Sequence, residues 1–261
     1  MSKTIPQSQP VQFAKQFMRK VPEVTIYFWI IKLLSTAMGE STSDYLVFHI
    51  NPYVAVAFGF IGLVISLVLQ LSVRRYIAWI YWLAVVMVAI FGTMAADVLH
   101  VVLGIPYIIS TAFFIIVLAV VFIAWYASEK TLSIHSINTT RRELFYWATV
   151  IATFALGTAL GDLTAATFGL GYLASGVLFA ILFVLPALAY GLFRINVIFA
   201  FWFAYIMTRP LGASFADYFG KPIFGGLGLG DAPVAGVLTI LIIILVAYVS
   251  ITHVDIKSEQ R

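Results

Sequence analysis

Seven ionisable residues stand inside strongly apolar stretches: Lys32, Glu40, Asp44, Asp97, Asp162, Arg209 and Asp217. A charge placed in lipid costs between about 2.5 and 17 kcal/mol, depending on the reference state. Groups kept at that cost face one another or water, and they mark ion pathways and proton relays. Lys32, Thr36, Glu40 and Asp44 recur every four residues, so a helix through 28–46 carries them as one polar stripe. The acids (Asp44, Asp97, Asp162, Asp217 and Glu40) outnumber the bases Lys32 and Arg209, which would serve as internal counter-charges set opposite the acids. An interior with that balance favours a cation, or protons shared among carboxylates. Oxygen ligands in a chain without cysteine suit Mg²⁺, Ca²⁺, Mn²⁺ or H⁺, with the four aspartates as the metal ligands and a divalent cation as substrate. The bland alternatives are that the charges only fix helix packing, and that each Asp is a hydrated marker of a helix end.

His49 and His100 follow Asp44 and Asp97 by five and three residues. They either extend the site toward a transition metal or sit at the membrane boundary. Thr93 and Thr158 occupy the position equivalent to Glu40 and either offer hydroxyl ligands or bond their own backbone. GGLGLGD (225–231) resembles a phosphate loop but lacks the strand-to-helix setting, and Asp231 with Pro233 reads as the start of a helix. No catalytic constellation stands out, so no enzyme is expected.

The elements that must position these groups follow from composition. Of 261 residues 62% are hydrophobic and 10% charged, against about 25% charged in a soluble domain. The lipid bilayer is therefore the expected partner, and nucleic acid is not, despite a net charge of +4. Eight apolar runs are long enough to span, near 24–44, 52–73, 77–101, 105–127, 144–165, 170–193, 196–219 and 232–252. TTRRE (139–143) reads as a capping box, with Thr140 as N-cap and Glu143 reaching back. Twelve of the fifteen Lys and Arg lie in the N-terminal arm, the tail and the loops after even-numbered spans, leaving Lys221 alone on the opposite side. The positive-inside rule then places both termini in the cytoplasm. The arm, residues 1–23, suits a short interfacial helix around Phe13, Phe17 and Met18. Residues 24–253 form one membrane domain, and 254–261 a cytoplasmic tail.

Internal repetition organises the whole. FWIIKLLSTAMGESTSD (28–44), YWLAVVMVAIFGTMAAD (81–97), YWATVIATFALGTALGD (146–162) and FWFAYIMTRPLGASFAD (201–217) align without gaps as [FY]W-x9-G-x4-D. Each copy opens a pair of spans, giving repeats near 24–73, 77–127, 144–193 and 196–252. An even number of spans returns the chain to the same side, so the four repeats run parallel. Trp29, Trp82, Trp147 and Trp202 then share one depth. Asp44, Asp97, Asp162 and Asp217 share another, about 22 Å away at 1.5 Å per residue. Gly39, Gly92, Gly157 and Gly212 each precede a small residue by four, a spacing that lets helices approach closely in lipid. The odd spans are expected to gather the carboxylates around a centre, with Pro210 and Pro186 as hinges.

On this repeat and its four Trp residues, the chain resembles a family of bacterial inner-membrane proteins built of four tandem repeats of unknown function, each with two transmembrane segments and a characteristic Trp. The resemblance implies the architecture and supplies no activity. The expectation is an all-α polytopic membrane protein with eight transmembrane helices in four parallel two-helix repeats. It would transport a small cation through its carboxylate cluster; the alternative is a membrane scaffold or sensor.

Overall fold

The computed structural model describes residues 19–256; the expected helical arm around Phe13, Phe17 and Met18 lies outside the described residues. Eight α-helices follow one another: α1 (Ile26–His49), α2 (Pro52–Ser72), α3 (Ala78–Asp97), α4 (Tyr107–Glu129), α5 (Thr140–Asp162), α6 (Gly171–Phe193), α7 (Val197–Gly220) and α8 (Asp231–Thr252). There is no strand among the described residues. Seven helices are long and apolar enough to cross a membrane. The eighth, α1, has 24 residues but interrupts its apolar run with Lys32, Glu40 and Asp44.

Local chemistry sets the helix ends. Asn51 accepts from the Tyr53 amide and Asn196 from the Ile198 amide, at 3.0 and 2.8 Å, which satisfies donors that a helix start leaves unpaired. The outer helices α4, α6 and α8 stop on Lys130, Arg194 and His253, all left-handed. The cations Lys130 and Arg194 there meet the negative end of the helix dipole. At α5 the expected capping box does not form. Thr139 is the cap, accepting from the Arg142 amide at 3.3 Å. Glu143 is instead fully buried, held by the Lys20 ammonium and by Gln70 at 2.9 Å. A buried ammonium needs that carboxylate more than an exposed amide does. At α8 the cap is Gly230, with a positive φ, and Asp231 is already helical.

The helices form a closed double ring. The odd-numbered helices are the inner ones: α1 packs on α3, α3 on α5, α5 on α7, and α7 back on α1. Each outer helix lies against the inner helix of the following repeat: α2 on α3, α4 on α5, α6 on α7, and α8 on α1. In the most apolar stretches of α3, α5 and α7 between 56 and 72% of residues are buried, against 17 to 28% in the outer helices. Apolar side chains such as Phe60, Ile116, Ile123, Leu188 and Ile244 therefore face outward. A surface like that marks a membrane protein.

The repeat signature accounts for the ring. Phe28 meets Trp82, Tyr81 meets Trp147, Tyr146 meets Trp202 and Phe201 meets Trp29, at centroid distances of 5.8, 5.6, 6.3 and 5.7 Å. The glycines repeat this order one level on. A Cβ at Gly39 would strike Ala89, at Gly92 Phe154, at Gly157 Arg209, and at Gly212 Thr36. Each contact runs from one inner helix to the next, and the fourth returns to the first. The small-residue spacing does bring these helices close, as expected.

The two ends of the ring differ. The tryptophan end carries the aromatic layer and residues 19–25, which bond to Ile137, Tyr76 and Asp255 of neighbouring loops. At the aspartate end, α3 and α5 pass directly from Asp97 and Asp162 into π-helical turns, Val98–Val102 and Leu163–Thr167. By contrast α1 and α7 continue as α-helix beyond Asp44 and Asp217.

Candidate functional site

Three polar groups are stacked along the inner ring. The first is Lys32, which is 1% exposed. Its ammonium lies 3.7 Å from the centre of the Phe154 ring and 4.2 Å from that of Tyr205. No hydrogen-bond acceptor reaches it among the described residues. The expected pairing of Lys32 with an acid does not form, because the aromatic faces of α5 and α7 occupy the space around its head. Attraction to two rings replaces the ion pair.

One level on, Arg209 crosses from α7. A single terminal nitrogen, Nη2, is aimed at Glu40 Oε2 at 2.5 Å, at Thr158 Oγ1 at 2.7 Å and at Thr93 Oγ1. These acceptors hold the same position, eleven residues after the Trp, in the first three repeats. Gly157 makes room for the arginine stem, where any Cβ would collide. Arg209 and Glu40 thus form a buried ion pair between the first and last inner helices. Thr93 and Thr158 also donate to their own backbone, at Ala89 and Phe154, which is the simpler of the two readings of these hydroxyls. Pro210 and Pro186 sit inside continuous helices.

At the aspartate end lies a residue that sequence reasoning had set aside. The Lys221 ammonium bridges Asp44 Oδ2 and Asp217 Oδ1, at 2.8 Å from each, with the Tyr172 ring 5.8 Å away. Topology counting had left Lys221 as a remainder on the far side, whereas its stem carries the charge back along α7. The i,i+4 spacing from Asp217 was the available signal. Its backbone is fixed by the glycine-rich loop once likened to a phosphate loop. Residues 226–230 double back on the end of α7, where Leu227, Leu229 and Gly230 donate to Tyr218, Phe219 and Gly220, and Gly228 donates to Lys221. Gly226 has no alternative, since a Cβ there would overlap the Lys221 carbonyl.

Glu40, Asp44 and Asp217, all buried, offer carboxylate oxygens within 4.8 Å of one another and could hold a metal ion. Of the five acids expected to bind the ion, these three converge. Glu40 stands one turn from Asp44 on the same face and enters the group, while Asp97 and Asp162 lie outside it. Those two are half-buried and have no side-chain hydrogen bond among the described residues. They still feel the charges of Asp44 and Glu40, so all five acids share one electrostatic neighbourhood. Neither histidine joins them. His49 is exposed and stacks on Tyr45, and His100 stacks on Tyr107 with Nδ1 2.7 Å from the Ile105 carbonyl.

No curated protein and no solved structure matches the chain. One family model does match it, in four successive stretches, residues 27–76, 80–131, 145–196 and 200–254. Each stretch is one inner helix with the outer helix that follows it, and together they account for most of the chain. By that fourfold match, the chain belongs to the family described as a Repeat of Unknown Function (DUF347).

Proposed function

We propose that the protein moves a small cation across a bacterial inner membrane, spanning it eight times with both termini in the cytoplasm. The observation that carries this reading is the buried group Glu40, Asp44 and Asp217, whose oxygens converge within 4.8 Å at one end of a closed helical ring. Carboxylates in that setting are kept ionised only with positive charge among them, and a group of three with one open end can take that charge from an ion. Arg74, Arg75, Lys130, Arg141, Arg142 and Arg194 gather at the tryptophan end, which favours that end as cytoplasmic. The acids then lie toward the outside, and the aromatic layer separates them from the cytoplasm.

A second reading, a scaffold or sensor, draws on the fact that Arg209 and Lys221 already neutralise part of the cluster. Flux separates the two. Purified protein in liposomes would be followed for internal pH and for Mn²⁺, Mg²⁺, Ca²⁺, Zn²⁺, Na⁺ and K⁺. Asp44→Asn, Asp217→Asn, Asp97→Asn and Asp162→Asn would be compared with the native protein. Transport predicts flux of one cation, lost in Asp44→Asn and Asp217→Asn and reduced in the other two. Silence across the panel from folded protein overturns it in favour of the scaffold.

A further inference from the structure

A cluster of carboxylates that already holds an ammonium is a site with an occupant. We propose that Lys221 is a tethered competitor for the transported ion: its ammonium fills the seat between Asp44 and Asp217, and a divalent cation enters by displacing it. This inference rests on the transport reading and adds the substrate's valence and the residue that controls access.

Charge balance argues for the valence. Within the converging group itself, the three carboxylates of Glu40, Asp44 and Asp217, set against Arg209, leave two negative charges, and Asp97 and Asp162 only deepen the negative field around it. Lys221 offsets one of them. A divalent cation in its place offsets both, whereas a monovalent cation would only exchange like for like. In a site this buried, one uncompensated charge is costly, so the divalent ion has the advantage once it has shed water.

Position argues for displacement. Lys221 is the first residue beyond α7, and its side chain is 20% exposed while those of its two partners are 11 and 4% exposed. The ammonium can therefore leave toward the aspartate end by turning its own stem, with the loop and α7 in place. Asp231, at the start of α8, lies within electrostatic range and offers the departing charge another partner. The other repeats carry Phe48, Val101 and Ala166 at the matching position, so one competitor serves the ring. Lysine suits the task because it is a compact point charge on a flexible stem.

The test uses the full chain in detergent and in liposomes, with Mn²⁺ as the probe. Lys221→Met should bind Mn²⁺ at least tenfold more tightly than the native protein, and Lys221→Arg should bind it no more tightly. Propylammonium should compete with Mn²⁺ in Lys221→Met and leave the native protein unaffected. Independently of any variant, Mn²⁺ should increase acylation of Lys221 in the native protein, read by mass spectrometry. Native protein that binds Mn²⁺ with no change in Lys221 labelling overturns the inference and spares the transport reading. So does a folded Lys221→Met variant with native or weaker affinity, which would make the lysine a structural bridge. Absence of binding and flux for every divalent cation, in folded native protein and in Lys221→Met alike, overturns the inference, and silence for H⁺, Na⁺ and K⁺ as well overturns the transport reading with it.

Discussion

Arg209 Nη2 carries two protons and faces three oxygen atoms, from Glu40, Thr93 and Thr158, each on a different repeat. It therefore chooses among them, and Glu40, with its charge, takes the first claim. Removing that charge should be severe: Glu40→Gln is expected to lower stability by about 3 to 5 kcal/mol, because a buried guanidinium is left uncompensated. Lys32→Met should behave oppositely. The ammonium has no hydrogen-bond acceptor to lose, so the substitution is expected to be neutral, or stabilising by about 1 to 3 kcal/mol. Thermal unfolding of both variants in one detergent checks the contrast, and equal losses would show that Lys32 is as tightly coupled as Arg209. Arg209 could be read as a counter-charge from sequence because it sits within an apolar run. Lys221 could not, because it follows the run, and a lysine's head lies several ångströms from its backbone.

The helices of this protein meet through absences as much as through side chains. Gly92 faces Phe154 Cβ, and a Cβ built on the glycine would come within 2.7 Å of it. Gly191, on the outward side of α6, has no neighbour within 4 Å. Gly92→Leu should therefore prevent assembly of α3 against α5 and give little monodisperse protein. Gly191→Ala should fold normally and gain up to about 1 kcal/mol from better helix propensity. Size-exclusion profiles of the two variants, expressed side by side, test this. The glycines were legible because they recur at one position in four aligned copies. The π-helical turns after Asp97 and Asp162 were not, since VLHVV and LTAAT differ in no obvious way from residues that continue an α-helix. Nor was the order of packing. Periodicity shows that a helix has a buried face, and it does not say which neighbour covers it.

For the molecule as a whole, closure is the organising fact. The last outer helix, α8, lies on the first inner helix, α1, and the Glu23 amide bonds to the Asp255 carbonyl at 2.9 Å. The two ends of the described chain thus meet at the tryptophan end. A circular permutant that joins the native termini by a flexible linker and opens between Arg74 and Arg75 should keep the ring, because no repeat changes neighbours. It is expected to run as native on size exclusion and to unfold within a few degrees of the native protein; aggregation would show that the order of synthesis matters. The repeat was readable in the sequence, and so was the gathering of the basic loops at one end of the helices. The chain's return upon itself was not, because closure depends on the angle between successive helices.

The head-to-tail order of these contacts carries an implication for ancestry. Every junction joins the leading surface of one helical hairpin to the trailing surface of the next, and the series closes after four. Separate, identical hairpins with those two surfaces would assemble into a four-membered ring with rotational symmetry. Such an oligomer must carry any charge either nowhere or four times over. Linking the hairpins in one polypeptide lifts that constraint. One subunit-equivalent can then supply an arginine, another the glutamate that answers it, and the remaining two a pair of hydroxyls. Fusion in this protein is what makes an asymmetric centre possible on a symmetric frame.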